Sequence, residues 1–202
     1  NIAHNVNLHI DNLSFSNIKQ ACAGSRPVAM LSFAVNYVIH GLSPSWFRAT
    51  NLAIHIVVAI LLYSLLCITL QLELAGSDVQ RYRWVPALSV LLWAIHPLQL
   101  QSVTYIVQRM NSLAALFFLL SLLSYIHARL ASTAGSKLFF IFSCVVTWIL
   151  AIGSKLNTAI LPAIIILYEW FFFQKRNRNW LLTRTPFFLL LSLFAVGLLA
   201  PY

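Results

Sequence analysis

The chain has 202 residues, of which 60% are hydrophobic and 8% charged, and its mean hydropathy is +0.83. A soluble domain of this length cannot bury so much apolar surface, whereas a bilayer accepts it, so the composition describes a polytopic membrane protein. The formal charge of +9 is carried by basic residues placed singly or in short clusters beside apolar runs, as in membrane proteins, and this speaks against a nucleic-acid partner.

Residues 1–44 are interrupted by polar side chains too often to span: His4, His9, Asp11, Lys19, Arg26 and His40 among them. Within them NLSFSNIKQACAG predicts a short helix, with Ser14 or Ser16 as cap and Gly24 as stop. After Arg26 and Pro27, VAMLSFAVNYVIHG sets Met30, Phe33 or Ala34, Tyr37 and Ile39 near one apolar stripe ended by Gly41 and Pro44. That pattern predicts an amphipathic helix lying in the interface. Residues 1–44 are therefore expected to form a region with interfacial helices, and residues 45–202 a transmembrane helix bundle.

About six spans are expected in that all-α bundle. The first covers 45–71 and carries Asn51 and His55 one turn apart, polar groups that must face another helix in hydrocarbon. The second runs from Trp84 to His96 and Pro97, so short that it either crosses obliquely or continues past Pro97 with a kink. Spans at 112–128, 138–152 and 158–173 follow, the last two joined by GSKLN, a tight hairpin expected to expose Lys155. A basic connector at 174–185 leads to a sixth apolar run from Pro186. The chain starts without methionine and ends inside that run, so it reads as a piece of a longer protein.

Eight of the 13 basic residues fall in the loops at 71–83, 129–137 and 174–185. The positive-inside rule assigns that side to the cytoplasm. Residues 1–44, the polar island HPLQLQSVTYIVQRMN at 96–111 and the GSKLN tip then share the extracytoplasmic face. The membrane is a bacterial inner membrane or, in a eukaryote, the endoplasmic reticulum.

Arg109 and Lys155 go against this charge bias. An anionic ligand explains their placement, because an arginine fork and a lysine point charge suit a phosphate; snorkelling to lipid headgroups explains it equally. His96 beside them reads as a base, a donor to phosphate or a structural cap. As a metal ligand it lacks partners at HxH or HxxxH spacing, so no metal site is expected. The cysteines Cys22, Cys67 and Cys144 are odd in number and widely spaced, and imply no disulfide framework. Of the four acids, Asp11 alone lies on the extracytoplasmic side and is the one weak candidate for a catalytic base; it reads equally as a turn residue beside Asn12. Glu169 reads as structural, neutralised by Lys175 and Arg176.

The order SRPVAMLSFAVNYVIHGLSP, NLAIHIVVAILLY, WAIHPLQLQSVTYIVQRMNSLAALFFLLSLLSY, GSKLNTAILPAIIILYEWFFF resembles the transmembrane and tetratricopeptide-repeat O-mannosyltransferases and their bacterial relatives. The resemblance implies an all-helical membrane glycosyltransferase that takes a sugar from a polyprenyl phosphate. It implies His96, Pro97, Arg109, Ser154 and Lys155 as residues lining the donor site. Many relatives carry acids where this chain has Gln101, Asn111 and Leu156, and the family's catalytic acid falls just before Asn1. Those departures leave a second reading, a non-catalytic scaffold or accessory subunit that keeps the fold. The expected partners are the bilayer, a lipid-linked sugar and other membrane proteins. No cofactor is implied beyond the polyprenyl-phosphate sugar, which would be the donor substrate.

Overall fold

The computed structural model describes residues 14–22, 26–74 and 77–184, with the isolated positions 186, 193 and 197. Asp11, Gly24 and nearly all of the sixth apolar run lie outside the described residues. Among those described, every regular element is helical: α1 (Phe15–Ala21), α2 (Pro27–His40), α3 (Pro44–Glu73), α4 (Ser77–Arg81), α5 (Trp84–Ala94), α6 (Leu100–Thr104), α7 (Arg109–Leu130), α8 (Ala134–Ser154) and α9 (Leu161–Tyr168). This is an all-α polytopic bundle and an integral membrane protein.

Four helical stretches among the described residues are long and apolar enough to cross a membrane: Pro44–Glu73, Ile106–Leu130, Ala134–Ser154 and Leu156–Phe173. Each begins or ends beyond the boundaries expected from hydropathy, because polar residues complete the terminal turns. The expected second span is not among them. At 1.5 Å per residue α5 covers about 16 Å, roughly half the hydrocarbon thickness. It stops because His96, preceding Pro97, is held extended at φ −61° and ψ 135°. The helix breaks there, and the chain turns through Pro97–Gln99, α6 and Ile106–Gln108 before α7 starts. α5 lies along α3, from beside Leu70 and Glu73 to beside His55, so with these turns it carries the chain from one end of the bundle to the other.

The helix α2 ends at Gly41, whose φ of +61° suits glycine and few other residues. Its buried residues, Ala29, Phe33, Ala34 and Asn36, lie on one face, and Met30 and Tyr37 pack beside them. Ile39, expected on this stripe, is 64% exposed. This face packs against α3, α7 and α8, so α2 is part of the bundle's own core. The approach to α8 is close: a Cβ at Gly153 would stand 2.7 Å from Val28 Cγ2.

Two polar networks mark opposite ends of the bundle. At one end Glu169, 4% exposed, accepts from Arg129 at 2.9 Å through both carboxylate oxygens, from the Tyr125 hydroxyl at 2.7 Å and from Gln174 at 2.7 Å. The neutralising cation is thus Arg129 of α7; Arg176 instead pairs with Glu73 at 3.3 Å. Glu169 opens the π-helical turn Glu169–Phe173, and Arg129 also lies over the Phe173 ring of that turn. The other end gathers the start of α3, residues 96–108, the first turn of α7, the end of α8 and Lys155. Apolar side chains exposed along the outer faces of α3, α5 and α8, such as Ile60, Leu92, Leu138 and Phe142, suit lipid contact.

Candidate functional site

The first turn of α7 organises the Lys155 end. Arg109 opens the helix and has no exposed surface at all. Its Nε donates to Asn51 Oδ1 at 2.8 Å, one terminal nitrogen to the Ser32 carbonyl at 3.2 Å, and the other to Asn36 Oδ1 at 2.8 Å and the Phe47 carbonyl at 2.9 Å. Phe33 and Phe47 cover its two flanks, with the guanidinium carbon 4.7 and 5.2 Å from their ring centroids. Four of the five N–H donors of a guanidinium are thereby used on neutral acceptors of α2 and α3.

Asn51 completes the arrangement. Its amide nitrogen donates to the carbonyls of Val103 and Tyr105 at 3.4 and 3.3 Å, tying the folded-back segment to α3. One turn further, His55 Nε2 donates to the Ala94 carbonyl at 3.2 Å and its ring stacks on Trp93 at 5.1 Å. The interhelical role expected for Asn51 and His55 is therefore what the structure contains.

Two residues on from Arg109, and so on a different face of α7, Asn111 points outward. Its Oδ1 accepts from Lys155 Nζ at 2.6 Å, and its amide nitrogen donates to Gln108 Oε1. Lys155 is half-buried and not the exposed tip that the hairpin spacing predicts, because its extended backbone turns the side chain back onto α7. With Asn111 taking one of its three donors, the ammonium has two further donors to offer. They border a cavity of about 390 Å³ lined by Asn111, Lys155, Asn157 and Thr158 with Ala114, Ala115, Phe118 and Ile160. A second cavity of about 240 Å³ is lined by His55, Trp93, Gln99, Ser102, Ser112 and, again, Asn111 and Ala115. Together they fall in the ~300–1,000 Å³ range of small-molecule sites.

The residues singled out in the sequence are thus distributed unequally. Lys155 lines the larger cavity; Arg109 lines neither and is turned into the core, so the expected convergence of the two cations on one space is not found here. His96 is exposed, and its Nδ1 accepts from the Leu98 backbone at 3.2 Å, the cap of the Pro97–Gln99 turn. Ser154, implied by the resemblance, is buried and donates to the Leu150 carbonyl. Asn36, Trp93, Asn157 and Thr158 were not anticipated. Asn36 alone carried a signal, as a polar residue inside an apolar helical face. Among the described residues no group of three metal-ligating side chains exists, and no carboxylate lines either cavity.

Comparison with known proteins finds relatives among the protein O-mannosyl-transferases. The protein O-mannosyl-transferase TMTC1 of Mus musculus is 35% identical over 101 residues, 50% of this chain and 10% of that protein. TMTC4 of Mus musculus is 36% identical over 107 residues, 51% of this chain and 14% of the relative. The protein tmtc2 of Xenopus laevis is 31% identical over 189 residues, 86% of this chain and 20% of the relative. The chain spans a fifth or less of the length of these curated relatives. No family model matches it, and no solved structure does. The resemblance read from the four sequence blocks is a homology to the protein O-mannosyl-transferases TMTC1 to TMTC4.

Proposed function

We propose that this chain is the carrier-binding portion of a membrane glycosyltransferase, which moves a sugar from a polyprenyl phosphate to an acceptor hydroxyl on the extracytoplasmic face. The observation that carries the reading is the Lys155 cavity. A half-buried ammonium, oriented by Asn111, borders a space large enough for a phosphate ester, beside the amide of Asn157 and the hydroxyl of Thr158. The relatives' activity, protein O-mannosyl transfer, fits a chain whose apolar helices would hold the lipid part of such a donor.

In this reading Lys155 meets the phosphate and stabilises the charge that grows on it as the sugar departs. Arg109 acts from behind. It fixes α2, α3 and α7 around the site, and its charge, compensated by no carboxylate among the described residues, adds a positive field in a low-dielectric setting. His96 lines neither cavity and serves as the cap of the turn that follows it. The carboxylate that takes the acceptor proton is assigned to a residue outside those described, Asp11 being the candidate within this chain.

A second reading, a scaffold that binds the carrier without transferring from it, is favoured by the lack of a carboxylate lining either cavity. Binding and transfer assays on the protein in lipid nanodiscs separate the two. Lys155→Ala removes a charged hydrogen bond worth ~1.5–3 kcal/mol, so polyprenyl-phosphate affinity falls about 10- to 150-fold, while Lys19→Ala leaves it unchanged. Equal effects of the two substitutions refute the site. Binding without any transfer to acceptor peptides selects the scaffold.

A further inference from the structure

We infer that the cavity between His55, Trp93, Gln99 and Ser102 receives the sugar of the lipid carrier, as a subsite for a neutral hexose next to the Lys155 phosphate site. The inference rests on the reading of Lys155 above and extends it to a second ligand group.

Three observations support it. First, the two cavities share Asn111 and Ala115 of α7, so they adjoin along one helix. Second, their chemistries divide. Lys155 borders the larger cavity, whereas no Lys, Arg, Asp or Glu lines the smaller one. A phosphate belongs to the first and an uncharged polyol to the second.

Third, the smaller cavity holds the groups that recognise a polyol. Gln99 Oε1 accepts from Ser102 at 3.3 Å, which orients the carboxamide and directs its NH₂ donors elsewhere. His55 donates from Nε2 to the Ala94 carbonyl, leaving Nδ1 as an acceptor. Trp93, held by stacking on His55, offers an aromatic face for the C–H side of a pyranose. Hydroxyls that lose water on entry need such partners in place, because unpaired polar groups in a buried site cost affinity. The fold supplies this cavity through the break at His96. Had the helix run straight on past His96, Gln99 and Ser102 would not fold back over α3.

The test uses the full chain in nanodiscs and two probes, a polyprenyl phosphate and the same lipid carrying mannose. Gln99→Ala and Trp93→Leu are expected to lower affinity for the mannosyl lipid about 3- to 10-fold and to leave the bare lipid within twofold, as fits the loss of one neutral contact. Lys155→Ala is expected to weaken both. Gln99 lies in a short surface turn, so Gln99→Ala keeps the experiment decisive should Trp93→Leu fail to fold. If Gln99→Ala weakens both lipids equally, or neither, the sugar subsite is overturned while the phosphate site stands. If the unmodified protein binds neither lipid, the carrier-binding reading itself fails, and the subsite with it.

Discussion

Replacing Arg109 tests how this end of the bundle is built. In Arg109→Ala, Asn51 Oδ1 loses its donor, whereas Asn36 Oδ1 keeps the Thr50 hydroxyl at 3.0 Å and the Ser32 and Phe47 carbonyls remain within helices. One unsatisfied buried acceptor costs ~1–3 kcal/mol, and the space left between Phe33 and Phe47 costs ~2–5 kcal/mol. Relief from burying a charge offsets part of this. The net expectation is a loss of about 3 kcal/mol, which lowers the unfolding temperature of a chain this size by ~6–12 °C. Arg109→Lys is the informative partner. An ammonium keeps the charge but places its donors on one atom, which cannot reach Asn51 on one flank and Asn36 with Phe47 on the other. It should recover less than half of the loss. Thermal unfolding in detergent, followed by tryptophan fluorescence, reads both. Were Arg109 a headgroup anchor or a phosphate ligand, Arg109→Ala would unfold within about 2 °C of the parent and lysine would serve as well as arginine; that pattern refutes the structural role.

Further substitutions probe the other parts. Glu169→Gln leaves Arg129 without its carboxylate, and because Arg129 keeps 37% of its side-chain surface in contact with the surroundings the loss is held to about 2–3 kcal/mol, read by the same unfolding assay. Gly153→Ala brings a methyl against Val28, whose branched side chain has little freedom in a helix, and should cost about 1–3 kcal/mol with faster proteolysis near residue 26. For the orientation, a cysteine at Ser132 should react with an impermeant thiol reagent only after the membrane is opened, and one at Ser102 from outside. Cys22 is first changed to serine, although burial pushes its thiol up and slows its labelling. The same accessibility at both sites overturns the assigned topology.

Much of the bundle was legible in the sequence because the apolar runs of α3, α7 and α8 exceed what anything but a membrane accepts. Asn51 and His55 were legible for a related reason: a polar group inside such a run needs a partner. What escaped was which partner. The ligands of Arg109 lie 58 and 73 residues away in sequence, at Asn51 and Asn36, and no local pattern connects them. A cation against the charge bias has two solutions, an anion outside or a cage of carbonyl oxygens inside, and spacing alone does not choose. Glu169 shows the same limit: sequence proximity points to Lys175 and Arg176, yet its partner is Arg129, 40 residues earlier. The stop at His96 was half legible. Pro97 announces a break, but the return of residues 97–108 over α3 depends on Asn51 holding two distant carbonyls.

The central claim is that the phosphate of a polyprenyl carrier sits against Lys155. A cryo-electron-microscopy structure of the full chain in nanodiscs, with a polyprenyl phosphate added, tests it most directly. The expected result is phosphate density about 3 Å from Lys155 Nζ, in the cavity lined by Asn111, Asn157 and Thr158, with Arg109 still enclosed by Asn36 and Asn51. Phosphate density elsewhere on the bundle, with Lys155 Nζ bound to Asn111 alone, would contradict it.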